Sequence, residues 1–397
     1  MKRILFFSLT YYPFIGGAEV AIKEVTDRIS PEDYKFDMIT LRFDSNLPKF
    51  ESFGNIDIFR IGFGCPGAKI QDFKKFPLVV MKYIYPFWAL AYAVILHHRK
   101  PYDAVSTVMT SYASFGALFF KFLFPDVLYI ARLDDGDPFE YYKKRTRIVG
   151  PLFKKLFTKA DFVITSSTYL SNIVRGMGYK KEVVVVPNGV NAEHFSKVYS
   201  DEELDTLKKK LGKNEDDFYL ITTSRLVTKN ACDDVIKSLP LLKDSIKFLI
   251  LGIGPDEVML KKLAIESGVS DRVMFLGQIN HSEMPKYLKV SDVFIRPSLS
   301  EGFGISFIEA MVAGLPVVAT PVGGITDFLT DNETGVFCEV RNPTSISQKI
   351  NLLFENKDLR ERLIKNGAKM ASERYDWGLV SKMMKENVFD KLFESKK

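Results

Sequence analysis

At 397 residues, 46% hydrophobic and 26% charged, the chain has the balance of a soluble globular protein and is too long for one core, so two domains are expected. Its three cysteines, Cys65, Cys232 and Cys338, are far apart and share no metal-ligand spacing, which excludes a disulfide framework or zinc module and fits a reduced, cytoplasmic setting. Net charge is +6 but uneven: residues 1–190 carry +8 and the rest −2, so the first half should meet an anionic partner such as a phospholipid surface or a lipid diphosphate, with no nucleic acid expected.

Met1 to Phe7 is basic then apolar, as a signal peptide begins, but Ser8 and Thr10 break the run and no small-residue cleavage site follows. Ile4–Ser8 therefore reads as a first buried strand, Pro13–Ala18 (PFIGGA) as a turn and Glu19–Ile29 as a helix. Gly16 and Gly17 let backbone approach a ligand closely, or simply make a tight turn; no third glycine completes a dinucleotide fingerprint. Phe36–Thr40 and Ile56–Ile61 are strands. Pro77–Leu96 is apolar enough to tempt a transmembrane reading, yet Lys82 and Pro86 interrupt it, and Tyr83–Leu96 has the length of a core or interfacial helix. Lys69, Lys74 and Lys75 precede it, and Arg99 and Lys100 follow. Tyr112–Phe124 is a second apolar helix. The two are either buried helices of the first domain or a surface that rests peripherally on a membrane.

Val127–Ala131 is a strand followed by RLDDGDPFEYY, and a basic run, Lys143, Lys144, Arg145 and Arg147, comes next. Asp135–Gly136–Asp137 fits the loose D-x-D pattern of metal sites, a match that arises easily by chance, and no metal is expected. Asp161–Thr165 and Val183–Val186 are strands, the latter running into Pro187–Asn191 (PNGVN).

The second half alternates strands with helical stretches: Phe218–Thr223, Lys247–Leu251, Val273–Leu276, Asp292–Ile295, Pro316–Ala319 and Gly335–Glu339. Such alternation gives a parallel doubly wound sheet that binds ligands at its C-terminal edge. Arg225 and Lys229 follow the first of these strands, two cations suited to an anion there. Gly252-x-Gly254 follows the next but lacks the rest of a dinucleotide fingerprint. In Gly277–Tyr287, His281 reads as a cap or surface residue. Ser298–Gly324 (SLSEGFGISFIEAMVAGLPVVATPVGG) is strand end, glycine-bearing turn, helix Ile305–Val312, turn and strand. Free N–H groups of Phe303, Gly304 and Ile305 at that helix's start favour an anion such as a diphosphate. Glu309, a turn into the helix, suits a vicinal diol; Glu301, at the mouth, suits sugar hydroxyls. The alternative for this pair is a surface loop glutamate and an unrelated helix glutamate.

Glu301 and Glu309 in EGFGISFIEAMVAGLPVVATPVGG resemble the E-x7-E signature of retaining, nucleotide-sugar-dependent family 4 glycosyltransferases. The resemblance spans nearly the whole chain and implies the α/β GT-B fold, two Rossmann-like doubly wound domains facing one another across a cleft. Residues 1–190 would form the acceptor-side domain, 191–377 the nucleotide-sugar domain, and a helix at about 378–397 would pack back on the first, with PNGVN at the junction and Tyr375–Asp376–Trp377 before the last helix. By the same resemblance Arg225 and Lys229 clasp the donor diphosphate, assisting catalysis with Glu301. Gly16, Gly17, Phe303, Gly304, Ile305 and Glu309 face the donor, and the backbone of Gln278 and Ile279 holds its nucleobase. Many members carry a histidine after the strand at Val127–Ala131; here Arg132, Asp134, Asp137 and Asn188 are the acceptor-side candidates instead. The activity implied is transfer of a hexosyl group from a UDP- or GDP-sugar to a glycan or lipid-linked glycan in polysaccharide or glycolipid synthesis, with no cofactor beyond the nucleotide-sugar co-substrate. Other classes compatible with the residues are an inactive sugar-nucleotide-binding protein and a phosphorylase or epimerase on the same fold.

Overall fold

The computed structural model describes residues 1–14, 16–137 and 150–394. Residues 138–142 of the loop after the Val127 strand, and the basic run Lys143, Lys144, Arg145 and Arg147, lie outside the described residues. The chain divides into two compact units, Met1–Asn188 with Trp377–Lys397, and Gly189–Asp376.

The first unit is built on eight strands: β1 (Lys2–Phe7), β2 (Tyr34–Leu41), β3 (Phe50–Phe53), β4 (Ile56–Ile61), β5 (Ala104–Thr107), β6 (Leu128–Leu133), β7 (Phe162–Thr165) and β8 (Val183–Val185). Their order is β3-β4-β2-β1-β5-β6-β7-β8, parallel throughout except for the β3–β4 hairpin at one edge. Successive side chains of a strand point to opposite faces, so Leu5 and Phe7 of β1 enter one core while Ile4 and Phe6 enter the other. Helix α1 (Gly17–Asp27) and the returning helix Trp377–Met384 cover the Ile4 face. The Leu5 face is covered by α2 (Leu78–Arg99), α3 (Tyr112–Leu123), α4 (Gly150–Thr158) and α5 (Thr168–Gly176). Burial on both faces is why these strands read as apolar runs rather than as alternating ones.

Helix α2 is longer than the expected Tyr83–Leu96 helix, and it runs unbroken through Pro86. Proline removes one N–H from the helix ladder, but Pro86 is buried and Gly116 of α3 lies against its carbonyl, where a Cβ would come within 3.2 Å of the oxygen. Packing, together with the bond from the Tyr85 hydroxyl to the Ile39 carbonyl (2.8 Å), holds the helix across the defect. Among the described residues α2 is the one helix long and apolar enough, by length and composition, to cross a membrane.

The second unit has six parallel strands: β9 (Phe218–Thr223), β10 (Ile246–Leu251), β11 (Val273–Gly277), β12 (Val293–Arg296), β13 (Val317–Ala319) and β14 (Val336–Phe337), in the order β11-β10-β9-β12-β13-β14. Its helices are α6 (Ala192–Ser196), α7 (Asp201–Leu211), α8 (Cys232–Ser238), α9 (Glu257–Glu266), α10 (Met284–Lys289), α11 (Ile305–Val312), α12 (Pro343–Glu355) and α13 (Lys357–Tyr375). Helices α8, α9 and α12 pack on Leu220, Phe248 and Ile250; α6, α10 and α11 pack on Tyr219, Ile221 and Leu249. The chain enters this unit after Asn188 and leaves it after Asp376, and the Val190 N–H donates to the Tyr375 carbonyl (2.7 Å), so entry and exit are tied together. Tyr375 is buried against Phe303 and Phe328.

The strand orders locate the crevices. In the second unit the chain moves outward from β9 through β10 to β11, then starts again at β12 on the other side, so the connections after β9 and β12 diverge. In the first unit the same reversal falls between β1 and β5. Open parallel sheets bind ligands at such points, beyond the carboxyl ends of the strands.

Candidate functional site

The loop leaving β9 carries Arg225 and Lys229, and the loop leaving β12 carries Glu301 and opens α11; these two loops flank the switch point of the second unit. They are joined directly, since the Leu299 N–H donates to the Lys229 carbonyl at 2.7 Å. The Asn230 side chain spans the first loop to the Arg225 carbonyl (2.6 Å). Ala231 then turns the chain into α8 with φ 52, a left-handed conformation costing an alanine about 1–2 kcal/mol, which the surrounding bonds sustain.

A third loop, after β10, braces the first. Leu226 N–H donates to the Ile253 carbonyl (3.0 Å), Asp256 N–H to the Leu226 carbonyl (3.2 Å), and the Thr228 hydroxyl to Asp256 Oδ2 (2.8 Å). Gly252 and Gly254 make this approach possible: Cβ atoms there would sit 1.9 Å from the Ser224 carbonyl oxygen and 2.1 Å from that of Leu226. The Gly-x-Gly pair thus serves to seat one loop on the other.

Glu301 is held from three sides. Arg296, the last residue of β12 and buried, gives one guanidinium nitrogen to Glu301 Oε2 (2.7 Å) and another to the Ser306 hydroxyl (2.8 Å), with its plane over the Phe307 ring at 4.2 Å. The Gly302 N–H donates to Glu301 Oε1 (3.1 Å), and the Gly324 N–H to the Glu301 carbonyl (3.0 Å). The sequence puts Glu301 at the mouth as a partner for sugar hydroxyls, and Arg296 supplies its counter-charge. Arg296 went unread: it looked like the polar end of an apolar strand. A buried arginine five residues before a glutamate was the available signal.

Helix α11 starts on Gly304, whose φ of 92 lies in the left-handed region glycine enters freely, and no side chain caps it. Its first N–H groups and its dipole are thus available to an anion beside Arg225 and Lys229. Phe303 contributes backbone only, its ring being core. Glu309 lies a turn on, and His281 Nε2 comes to 3.6 Å from its Oε1. The His281 ring stacks on His194 (5.0 Å between centroids), whose Nε2 is 3.0 Å from the His281 carbonyl oxygen. His281 is exposed, as expected of a cap or surface residue, and the loop after β11 also brings it beside Glu309. On that loop Gln278 is exposed and Ile279 half-buried. Cys232, at the start of α8, is no nucleophile, since burial pushes its thiol up to about 11.

In the first unit Gly16 and Gly17 form the β1–α1 turn beside that unit's own switch point. Glu19 fastens the turn by accepting from the Gly16 N–H (3.0 Å) and the Thr10 hydroxyl (2.8 Å). At the end of β6, buried Arg132 donates through Nε to Asp134 and through Nη2 to Asn188 Oδ1 (3.2 Å). Arg132, Asp134 and Asn188 thus form one cluster, in which Asp134 is ion-paired and not a free base. Buried Arg132 Nη1 and Asp134 Oδ1 have no hydrogen-bond partner among the described residues. Asp137 lies farther along the loop, half-buried.

Two family models match the chain almost end to end: Glycosyltransferase Family 4 over residues 15–194 and Glycosyl transferases group 1 over residues 204–370. The sequence is similar to alpha-monoglucosyldiacylglycerol synthase of Acholeplasma laidlawii, 25% identical over 94% of this chain and 93% of that one. The structure is similar to sucrose-phosphate synthase from Thermosynechococcus elongatus, with a TM-score of 0.80 at 19% identity over 100% of both chains. It is also similar to Anabaena HepE in complex with UDP-glucose, with a TM-score of 0.77 at 20% identity over 98% of this chain and 100% of that one. The fold is GT-B, and the chain belongs to the glycosyltransferases of the family 4 type.

Proposed function

We propose that the chain moves a hexosyl group from a UDP- or GDP-sugar to a hydroxyl of a glycan or lipid-linked glycan, with retention at the anomeric carbon. The observation that carries this reading is the 2.7 Å bond from Leu299 N–H to the Lys229 carbonyl, which sets the loop of Arg225 and Lys229 beside the start of α11. Two cations on a loop bonded to the loop that opens a helix N-terminus suit a diphosphate, whose charge grows as the sugar leaves. On this reading Arg225 and Lys229 stabilise the leaving diphosphate. Glu309, with His281 at its side, takes the ribose diol. Glu301, held by Arg296, orients the sugar. No divalent metal is required, because the cations already present supply the positive potential. Same-face attack, with the leaving diphosphate accepting the acceptor's proton, asks for no histidine in the first unit. The names of the relatives agree in kind: one makes a glucolipid, and another was solved with UDP-glucose.

The test is a panel of UDP- and GDP-sugars in excess chelator, read by thermal shift and then by transfer. A true donor at a hundred times its Kd stabilises by about 2.7 kcal/mol. Arg225→Ala should weaken that donor more than tenfold, about 1.4 kcal/mol. No stabilisation by any nucleotide sugar would overturn the proposal. Stabilisation without transfer points to a binding protein, phosphate-dependent release of sugar phosphate to a phosphorylase, and interconversion of free sugar nucleotides to an epimerase. Activity lost in chelator and restored by manganese would overturn the metal-free reading.

A further inference from the structure

The outer face of α2 is apolar where solvent should make it polar. At about 100° per residue, Val80, Tyr83, Ile84, Phe87 and Ile95 of α2 fall within a sector of about 120°, and all five are exposed, Phe87 at 61%; Phe76, just before the helix, is exposed at 84%. The opposite face packs inward through Met81, Tyr85, Ala89 and Ala93. Helix α3 widens the patch. Ring pairs follow the same order along both helices, Tyr83 with Tyr112 (4.9 Å), Phe87 with Phe119 (5.8 Å) and His98 with Phe124 (6.0 Å), so the two lie side by side, and α3 ends in exposed Phe122 and Leu123. A contiguous apolar surface of this kind marks an interaction site.

Charge selects the occupant. From Phe73 to Pro125 the chain carries six Lys or Arg and a single acid, Asp103, which bonds to Lys2 and to the Arg3 N–H at the start of β1. Exposed Lys74 and Lys75 stand at one end of α2, Lys75 being paired with Asp72 (2.8 Å), exposed Arg99 and Lys100 stand at the other, and Lys82 lies over the Tyr83 and Tyr112 rings. A second copy of the chain would bring basic ends together whether it lay parallel or antiparallel. An anionic bilayer meets both ends and the apolar middle at once.

We propose that the outer face of α2, extended by the end of α3, docks the protein on an anionic lipid bilayer, with α2 lying in the membrane plane. At about 1.5 Å per residue the helix would lay roughly 33 Å along the surface. It does not cross, because its inner face is core of the first unit and the Tyr85 hydroxyl is bonded to β2. This places the protein where a lipid-linked acceptor of the proposed reaction lies, yet docking stands or falls without any donor, so the two are tested separately.

The experiment is co-sedimentation of the full chain, without nucleotide sugar, with phosphatidylcholine vesicles and with vesicles containing phosphatidylglycerol. Binding to the anionic vesicles, weakening with salt, is expected. The double variant Phe76→Ser/Phe87→Ser should lose about tenfold or more in vesicle affinity with an unchanged melting temperature, since both rings already face solvent. Lys74→Gln/Lys100→Gln should lose the preference for anionic lipid. Absence of binding at low salt, equal binding by the serine variant, or no preference between the lipids would overturn the proposal. So would a wild-type dimer that the serine variant converts to monomer, which would assign the face to a second copy.

Discussion

Gly323→Ala probes whether backbone packing positions Glu301. A Cβ at Gly323 would lie 2.0 Å from the Glu301 carbonyl oxygen, 3.0 Å from its carbon and 3.1 Å from its nitrogen, all backbone atoms that no rotamer can move. Gly323 also sits at φ 57. Left-handed placement costs alanine about 1–2 kcal/mol, and forcing overpacked atoms apart costs about 1–3 kcal/mol more. In a unit the size of Gly189–Asp376 each kcal/mol lowers Tm by about 2–4 °C, so a fall of roughly 10 °C is expected. Relief requires Glu301 to shift by about 1 Å, which should cost on the order of a hundredfold in turnover. Gly314→Ala separates the two effects: Gly314 is at φ 86, but its Cβ would meet only Ile364 Cγ2, at 3.9 Å. It should show the strain in Tm and retain turnover. The assays are a thermal melt and steady-state sugar transfer. Wild-type turnover in folded Gly323→Ala, or equal loss in Gly314→Ala, would refute the reasoning.

Arg296→Leu strips Glu301 and Ser306 of their shared donor; breaking a buried pair costs about 3–5 kcal/mol, so Tm should fall and turnover drop at least tenfold, and unchanged kinetics in the folded variant would remove Arg296 from the site. Burial pushes the Cys232 thiol up to about 11 and Cys338 up to about 12, so native protein near pH 8 should expose at most Cys65 to a thiol reagent, against all three cysteines when unfolded. Both folded values lie above the ordinary 9.0, so their contribution to stability is full below pH 9 and is lost as pH rises toward 11–12; prompt native labelling of two or three thiols would contradict it.

What could be read in the sequence was local. The run Ile305–Val312 between Gly304 and Gly314 carries its own start and stop, and the helix has those bounds. That Arg225 and Lys229 lie on a loop beyond an apolar strand was visible, because the strand β9 ends just before them. What escaped depended on contacts distant along the chain. β5 reads AVST, half polar, and is a strand because β1 and β6 lie on either side of it. His281 lacked a partner until α11 brought Glu309 within 3.6 Å. Gly252 and Gly254 were judged against a dinucleotide fingerprint, whereas their purpose is the approach to Ser224 and Leu226.

Those glycines bear on the proposed anion site. In the proposed reaction the charge facing the diphosphate would belong to side chains and helix N–H groups, whose usefulness depends on where the backbone is held. The loop after β9 is gripped by the loop after β10 through Gly252 and Gly254, and by the loop after β12 through Leu299. The loop after β12 is gripped in turn by Gly323 and Gly324 at the end of β13. Each grip is backbone on backbone, the stiffest contact a protein can make without a covalent bond, and left-handed Ala231 is held within the same set. Cations and dipoles fixed before the ligand arrives pay no reorganisation cost when charge develops on it.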